Sequence, residues 1–491
     1  MTNTRRRSAQ SKVDNGRLNL TDFISKMPDD ILVMILSLMP IKYAVVTSRL
    51  STRWRHLWRN LIRLNFDGTE FFDKMADDDI FSDLERFKFI KQVSNVINSY
   101  NHPRVCDFRI RFDLDGCDTQ QINEWIQFAL DKKVERLELD LLDKNYDIRD
   151  PDESFEFRLP LAYDMGGQML SLKKLFLTGV NLNGPNLFMI LTNSPHLEKL
   201  YMFGVHVFPC VYVGGQGINL KYFKLVSCSG FESITLYGFD LVSFIYYGPE
   251  IELHLTDLPK LRELDVGEVS VGLEKNVFSQ ISSCALYLQA LALDMRSTKE
   301  GLDVNAILKF PNVKKLKLGM SAEEDDCLLQ FTSIAQACPI LENFSICLHW
   351  FSPMKRRRKV RHVTPHVHKH LKFLEIIGYY GRISDLELAV YVIDNAAALK
   401  RIVIDPSCHA IGGDLSIQDC LKKQPAARSS AKRQLTPLLP PDAIFQKSIF
   451  IDIRIPTDYN TGAPHSSTAN ALVTPVARPP VFGTNPEVFG V

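Results

Sequence analysis

Residues 172–202, "LKKLFLTGVNLNGPNLFMILTNSPHLEKLYM", carry one apolar pattern twice, at "LKKLFL" and again at "LEKLYM". Each copy is apolar at its first, fourth and sixth places and variable between them. The alternation from fourth to sixth has the two-residue period of a strand with one buried face. Between the copies, "LFMILTNSPHLEKL" reads as an apolar helical turn closed by a proline.

The pattern extends in both directions. It recurs at "VCDFRI" (105), "VERLEL" (134), "LKYFKL" (220), "LVSFIY" (241), "LRELDV" (261), "LQALAL" (288), "VKKLKL" (313), "LENFSI" (341), "LKFLEI" (371) and "LKRIVI" (399). Successive starts lie 20 to 38 residues apart, and the longest gap, before 172, holds an extra segment, "SFEFRLP". Ordinary amphipathic strands of an α/β domain do not recur at such a period; a leucine-rich-repeat solenoid does. The predicted fold class is α/β, a curved parallel sheet with helical returns in which no repeat folds alone. The fifth place of each copy projects from the concave face. That puts Arg109, Glu138, Phe176, Tyr201, Lys224, Ile245, Asp265, Ala292, Lys317, Ser345, Glu375 and Val403 in one row. Neighbouring aromatic rings suit a binding anchor, so Phe176 and Tyr201 are candidate target-binding residues, with Lys224 placed to orient an acidic partner.

Ahead of the repeats stand "ISKMPDDILVMILSLMP" (24–40) and "IKYAVVTSRLSTRWRHLW" (41–58). Pro28 suits a first helical turn, Asp29 and Asp30 favour the helix N-terminus, and Ile31, Ile35 and Leu38 fall at helical spacing. Leu32, Val33, Met34, Leu36 and Met39 make the first helix apolar nearly all round. The second helix adds Ala44, Val45, Leu50, Trp54, Leu57 and Trp58. About forty residues cannot bury this much apolar surface on themselves. Either a partner covers it or the two helices cap the first repeat.

The stretch from Ile24 to Leu64 resembles an F-box, with its Leu-Pro, I-L-x-x-L-P and S-x-L-S-x-R-W-R-x-L-W features. Met27 and Met39 replace the usual leucines before Pro28 and Pro40, and Arg49, adjoining the packed core, stands where plant relatives often carry valine. The resemblance implies docking on a Skp-family adaptor through Met27, Pro28, Ile31, Ile35, Leu36, Pro40, Val45, Leu50 and Trp54. Residues 368–407 are similar to the FBD segment that closes the repeats of many plant F-box proteins. There "SDLELAVYVIDNA" reads as a helix with Ser384 as N-cap and Glu387 completing a capping box. "SIFIDIRI" (448–455) follows as a closing strand with Ile449, Ile451, Ile453 and Ile455 on one face. Between them "KKQPAARSSAKRQLTPLLPP" reads as a basic helix or loop with a proline-marked exit.

The resulting order is a disordered basic arm (1–20), F-box (21–64), helical connector (65–103), leucine-rich repeats (104–362), FBD-like closing repeats (363–455) and a disordered tail (456–491). It implies the substrate receptor of an SCF-type (Skp-cullin-F-box) ubiquitin ligase, joined through the adaptor to cullin and RING subunits and holding a target protein on its repeats. Such a chain is not itself an enzyme. A non-ligase interaction scaffold or a ligand-sensing repeat protein remains the alternative.

Composition bounds these readings. The 491 residues are 45% hydrophobic, and 58 basic against 57 acidic residues leave a net charge of +1, so no global field recruits nucleic acid or a membrane. The first residues lack the apolar region of a signal peptide and Ile31 to Ile41 is too short to span a bilayer, which predicts a nuclear or cytoplasmic chain. Ten cysteines without a C-x-x-C pair read as reduced core residues. His362, His366, His368 and His370 stand close together, but no cysteine or carboxylate completes a metal set, and they read as an exposed polar loop. The basic run 354–362 reads as a solvated loop. No G-x-S-x-G, H-E-x-x-H or glycine loop with lysine is present, and no cofactor is expected.

Overall fold

The computed structural model describes residues 24, 26–75, 79–145, 147–150, 152–157, 169–206, 209–249, 251–268, 277–295, 307–322, 328–350, 359, 365–406, 417–439 and 444–447. The expected arm, tail and "SIFIDIRI" strand, most of the basic run and His362 lie outside them.

The chain opens with three short helices, α1 (Asp29–Ser37), α2 (Ile41–Val46) and α3 (Trp54–Leu57). Pro28 caps α1, and Asp29 and Asp30 occupy its first turn. Leu32 and Leu36 turn inward on Ile41, Ala44, Trp54, Leu57 and Trp58. The Arg53 guanidinium closes the module, with Nε donating to Asp29 Oδ1 at 2.7 Å and a further bond to the Met27 carbonyl.

A strand follows where a helical connector is expected: β1 (Arg63–Asp67), then α4 (Phe72–Met75) and α5 (Asp79–Ser99). Its residues "LIRLNF" (61–66) repeat the L-x-x-L-x-L pattern, and Leu61, Leu64 and Phe66 are buried like the apolar places of every later repeat. The solenoid therefore begins at residue 61, inside the stretch that also completes the F-box.

The twelve expected strands all form, and they number on from β1. The first seven are β2 (Asp107–Arg111), β3 (Arg136–Asp140), β4 (Lys174–Thr178), β5 (Lys199–Phe203), β7 (Tyr222–Val226), β9 (Ser243–Gly248) and β11 (Glu263–Glu268). The other five are β12 (Ala290–Met295), β13 (Lys315–Ala322), β14 (Asn343–Trp350), β15 (Phe373–Ile377) and β16 (Arg401–Asp405). With β1 and a closing β17 (Ile444–Lys447) they make one fourteen-stranded parallel sheet in chain order. All of the fourth and sixth places are buried from β2 to β16.

Among the described residues, helical returns are α6 (Thr119–Asp131), α7 (Gly184–Asn193), α8 (Val277–Gln280), α9 (Thr332–Gln336), α10 (Ile383–Asn395) and α11 (Ile417–Leu435), the last being the expected basic helix, and all lie in repeats of 25 residues or more. The three repeats that start at 197, 220 and 241 return instead through β6 (Cys210–Gly214), β8 (Ser233–Tyr237) and β10 (Glu252–Thr256), a second parallel sheet. Helical returns are corrected to strands there because a strand covers about 3.3 Å per residue and a helix 1.5 Å, so a short repeat closes only through extended chain. The extra segment before 172 sends Phe155 and Phe157 into the core, and Glu156 bridges to Asn181, which bridges on to His206 and Ser229.

Helix α10 corrects a second expectation. Its cap is Arg382, not Ser384; the Arg382 and Tyr380 N–H groups donate to Asp385 Oδ2 at 3.0 and 2.9 Å, while Ser384 and Glu387 are buried. No described helix is long and apolar enough to cross a membrane.

Candidate interaction surfaces

The helical module presents one side to its own core and the other outward. On α1 and its C-terminal cap, Ile31, Met34, Ile35 and Leu38 are exposed by 41%, 61%, 38% and 83%, a stripe at i, i+3, i+4 and i+7, while Leu32 and Leu36 opposite are fully buried. Tyr43, Val46 and Leu50 add exposed apolar side chains from the next turns. Of the expected adaptor-binding residues, Pro28, Ile31, Ile35, Pro40 and Leu50 are exposed and Met27 and Val45 half-buried. Leu36 and Trp54 are corrected as to place: both are buried in the module core and hold its shape. Arg49 is likewise corrected, being exposed rather than against the core. Met34, Tyr43 and Val46 escape the sequence reading as surface residues, although the three-residue spacing from Ile31 marks Met34; Leu38 shares the helical face of Ile31 and Ile35.

The concave row is in register from end to end. Asn65 pairs with Arg109, and the line runs Glu138, Phe176, Tyr201, Lys224, Ile245, Asp265, Ala292, Lys317, Ser345, Glu375, Val403 and Gln446. Val403 differs from expectation, being buried at 7% exposure. Two places earlier along each strand lies a second outward row, with Lys174, Lys199 and Tyr222 in register beside the first.

The chemistry changes along this face. At its start Arg109 pairs with Glu138 at 2.8 Å, Arg111 with Asp140 at 2.9 Å, and Arg136 with Asp107 at 3.3 Å and with Glu138. Burial raises the Asp140 carboxyl above its ordinary range against the pull of the nearby arginines. Next come the rings. Phe176 and Tyr201 lie with centroids 6.0 Å apart and planes at 51°, both half-buried. The Arg136 guanidinium sits 4.7 Å over Phe176, Lys224 Nζ 5.2 Å over Tyr201 and Lys199 Nζ 4.3 Å over Tyr222. Burial lowers the Lys224 ammonium below its usual range. Further on, Tyr247 donates to Asp265 Oδ1 at 2.6 Å, and Ser345 to Glu375 at 2.9 Å.

The histidines do not form an exposed loop throughout. His368 is buried, Nε2 3.4 Å from the Tyr391 hydroxyl and its ring 5.1 Å from that of His366, and burial pushes it down to about 4. Among the described residues no group of three His, Cys, Asp or Glu side chains could hold a metal ion. Cys228, Cys284, Cys338 and Cys347 are buried, whereas Cys117 and Cys210 are exposed.

Fold and surfaces together define a leucine-rich-repeat solenoid with an apolar helical docking module built into its first turn. Residues 161–437 match the family model described as "At1g61320/AtMIF1, LRR domain", and residues 24–66 match that of the F-box domain. The chain belongs to the At1g61320/AtMIF1 leucine-rich-repeat family and carries an F-box. It is similar to three Arabidopsis thaliana proteins. F-box protein At3g62230 is 24% identical over 439 residues, 79% of this chain and 92% of that protein. F-box/FBD/LRR-repeat protein At4g00160 is 28% identical over 421 residues, 77% of this chain and 85% of that protein. F-box/LRR-repeat protein At3g03360 is 32% identical over 196 residues, which span 37% of this chain and 38% of that protein.

Proposed function

We propose that this chain is the substrate-recognition subunit of an SCF-type ubiquitin ligase, acting in the nucleus or cytoplasm, with an FBD-like segment closing its repeats. The observation that carries the reading is the exposed stripe Ile31, Met34, Ile35 and Leu38 on a helix that matches the F-box. A Skp-family adaptor covers this stripe and brings cullin and RING subunits. The repeats hold the target. The chain itself is non-catalytic: it raises the local concentration of a target lysine near the loaded conjugating enzyme, which turns a bimolecular attack into an effectively intramolecular one.

The continuity of the F-box with the first repeat supports a rigid link. Tyr100 bonds the Leu61 carbonyl, Lys42 pairs with Glu70, and Leu32 to Leu435 form one apolar core. A target on the concave face then keeps a fixed direction from the adaptor. Purification of the tagged full chain tests the reading. Adaptor, cullin and ubiquitin-transfer activity are expected together; adaptor without cullin or transfer identifies a non-ligase scaffold.

A further inference from the structure

On the reading that the repeats hold a target, we infer that β4, β5 and β7 form the docking surface for an acidic peptide segment that carries an apolar side chain, held by Lys174, Lys199 and Lys224 around Phe176, Tyr201 and Tyr222. Register places these six side chains together. Lys174, Lys199 and Tyr222 make one row, and Phe176, Tyr201 and Lys224 the next, all on the concave side.

Charge selects the occupant. Among the described residues none of the three lysines has a carboxylate within ion-pairing distance, although ion pairs are abundant elsewhere on the same face. Glu138, on the strand before, is already taken by Arg109 and Arg136. Asp265, two strands beyond Lys224, accepts from Tyr247, and Glu263 accepts from Ser243 at 2.7 Å. Glu198 pairs with Lys221 at 2.7 Å. Lys199 and Lys224 thus stand over rings with Lys174 beside them, and no carboxylate is in ion-pair contact with any of the three, Asp265 and Glu263 reaching Lys224, and Glu198 reaching Lys174, only at longer range. Lys174 and Lys199 are on adjacent strands, roughly 5 Å apart in backbone position, and Lys224 is a strand over and two residues along, roughly 8 Å from Lys199. Carboxylates on successive or alternate residues of a peptide match those spacings, and the rings supply the apolar anchor.

The same pairing of lysines and rings would suit a single-stranded nucleic acid, which requires a positive track that continues along the groove. Here the track stops on both sides. Asp107, Glu138 and Asp140 precede it, balanced by Arg109, Arg111 and Arg136, and Glu263 and Asp265 follow, so no unpaired positive track continues on either side. A short acidic segment fits between them.

Display of a random short-peptide library on the full chain, in parallel with a Lys174→Glu, Lys199→Glu, Lys224→Glu variant, tests the inference. Peptides retained by the natural chain alone should be rich in Asp or Glu beside an aromatic or aliphatic residue. Their affinity should fall about tenfold or more for the variant and also for the milder triple Lys→Gln variant, whose melting curve checks the fold. The inference is overturned if no peptides are retained, if the same ones emerge from both chains, if they lack acidic residues, or if oligothymidylate outcompetes them. Adaptor and cullin retention is scored on the same preparations. Its loss from the natural chain sinks the receptor reading and leaves the peptide result standing; normal retention with no acidic selection does the reverse.

Discussion

The Tyr100 hydroxyl donates to the Leu61 carbonyl at 2.6 Å, joining the chain just past α5 to the residue where the first repeat begins, inside the stretch that completes the F-box. The F-box is therefore the first turn of the solenoid, and not a bead on a connector. Tyr100→Phe leaves a buried carbonyl without its donor, at a cost of about 1–3 kcal/mol. A lowered Tm with unchanged adaptor binding is expected; an unchanged Tm would show the bond to be idle.

The same continuity sets what truncation does. Removing residues 1–103 takes away β1, which pairs with β2 throughout, and α5, whose Ser94 Oγ accepts from Trp125 Nε1 at 3.2 Å. The remaining chain keeps an open sheet edge and an uncovered tryptophan. Its thermal melt, followed by circular dichroism, should lose cooperativity. A sharp melt would mean that the later repeats cap themselves.

Two glycines separate backbone strain from crowding. Gly378 has φ +80°, and a Cβ there would lie 2.2 Å from the Leu348 carbonyl oxygen; Gly215 has φ +103° with nothing within 4 Å. Gly215→Ala costs only the left-handed conformation, about 1–2 kcal/mol. Gly378→Ala adds overpacking of about 1–3 kcal/mol. Urea midpoints should rank Gly378→Ala well below Gly215→Ala, and equal midpoints would contradict the crowding.

His368 gives a pH signature. Burial, and the neighbouring His366, hold it down to about 4 against an ordinary 6.5, so between these values the unfolded chain binds the extra proton. Its contribution to stability is complete above about 6.5 and is lost as pH falls toward 4. His368→Gln should flatten that part of the stability profile in chemical denaturation, and an unaltered profile would refute the assignment.

Most of the sheet was legible because L-x-x-L-x-L repeats the same burial demand at each strand. The first strand, "LIRLNF", carries that pattern too, but its residues also complete the F-box features, and one stretch served two structures. Strands β6, β8 and β10 were hidden by brevity. "CVYVG", "SITLY" and "ELHLT" alternate over five residues only, and what makes them strands is the small amount of chain left in each short repeat. At the candidate docking face the sequence put Ile31 and Ile35 among the adaptor-binding residues, and both are exposed, but it could not orient a helix that is apolar all round. Leu36 and Trp54 belong to the core because α1, α2 and α3 pack on one another, which local spacing does not encode. Lys174 and Lys199 escaped notice because only the fifth place of each repeat was read as facing the concavity, although the third place shares that face.

The affinity of the full chain for a Skp-family adaptor, measured with Ile35→Asp, tests the central claim most directly. Ile35 is 38% exposed on the stripe of α1, so the aspartate stays solvated in the free chain and becomes a buried, unpaired charge only beneath a partner. The predicted result is an unchanged Tm with affinity lowered by about a hundredfold or more. Natural affinity in a normally folded Ile35→Asp chain would contradict the account.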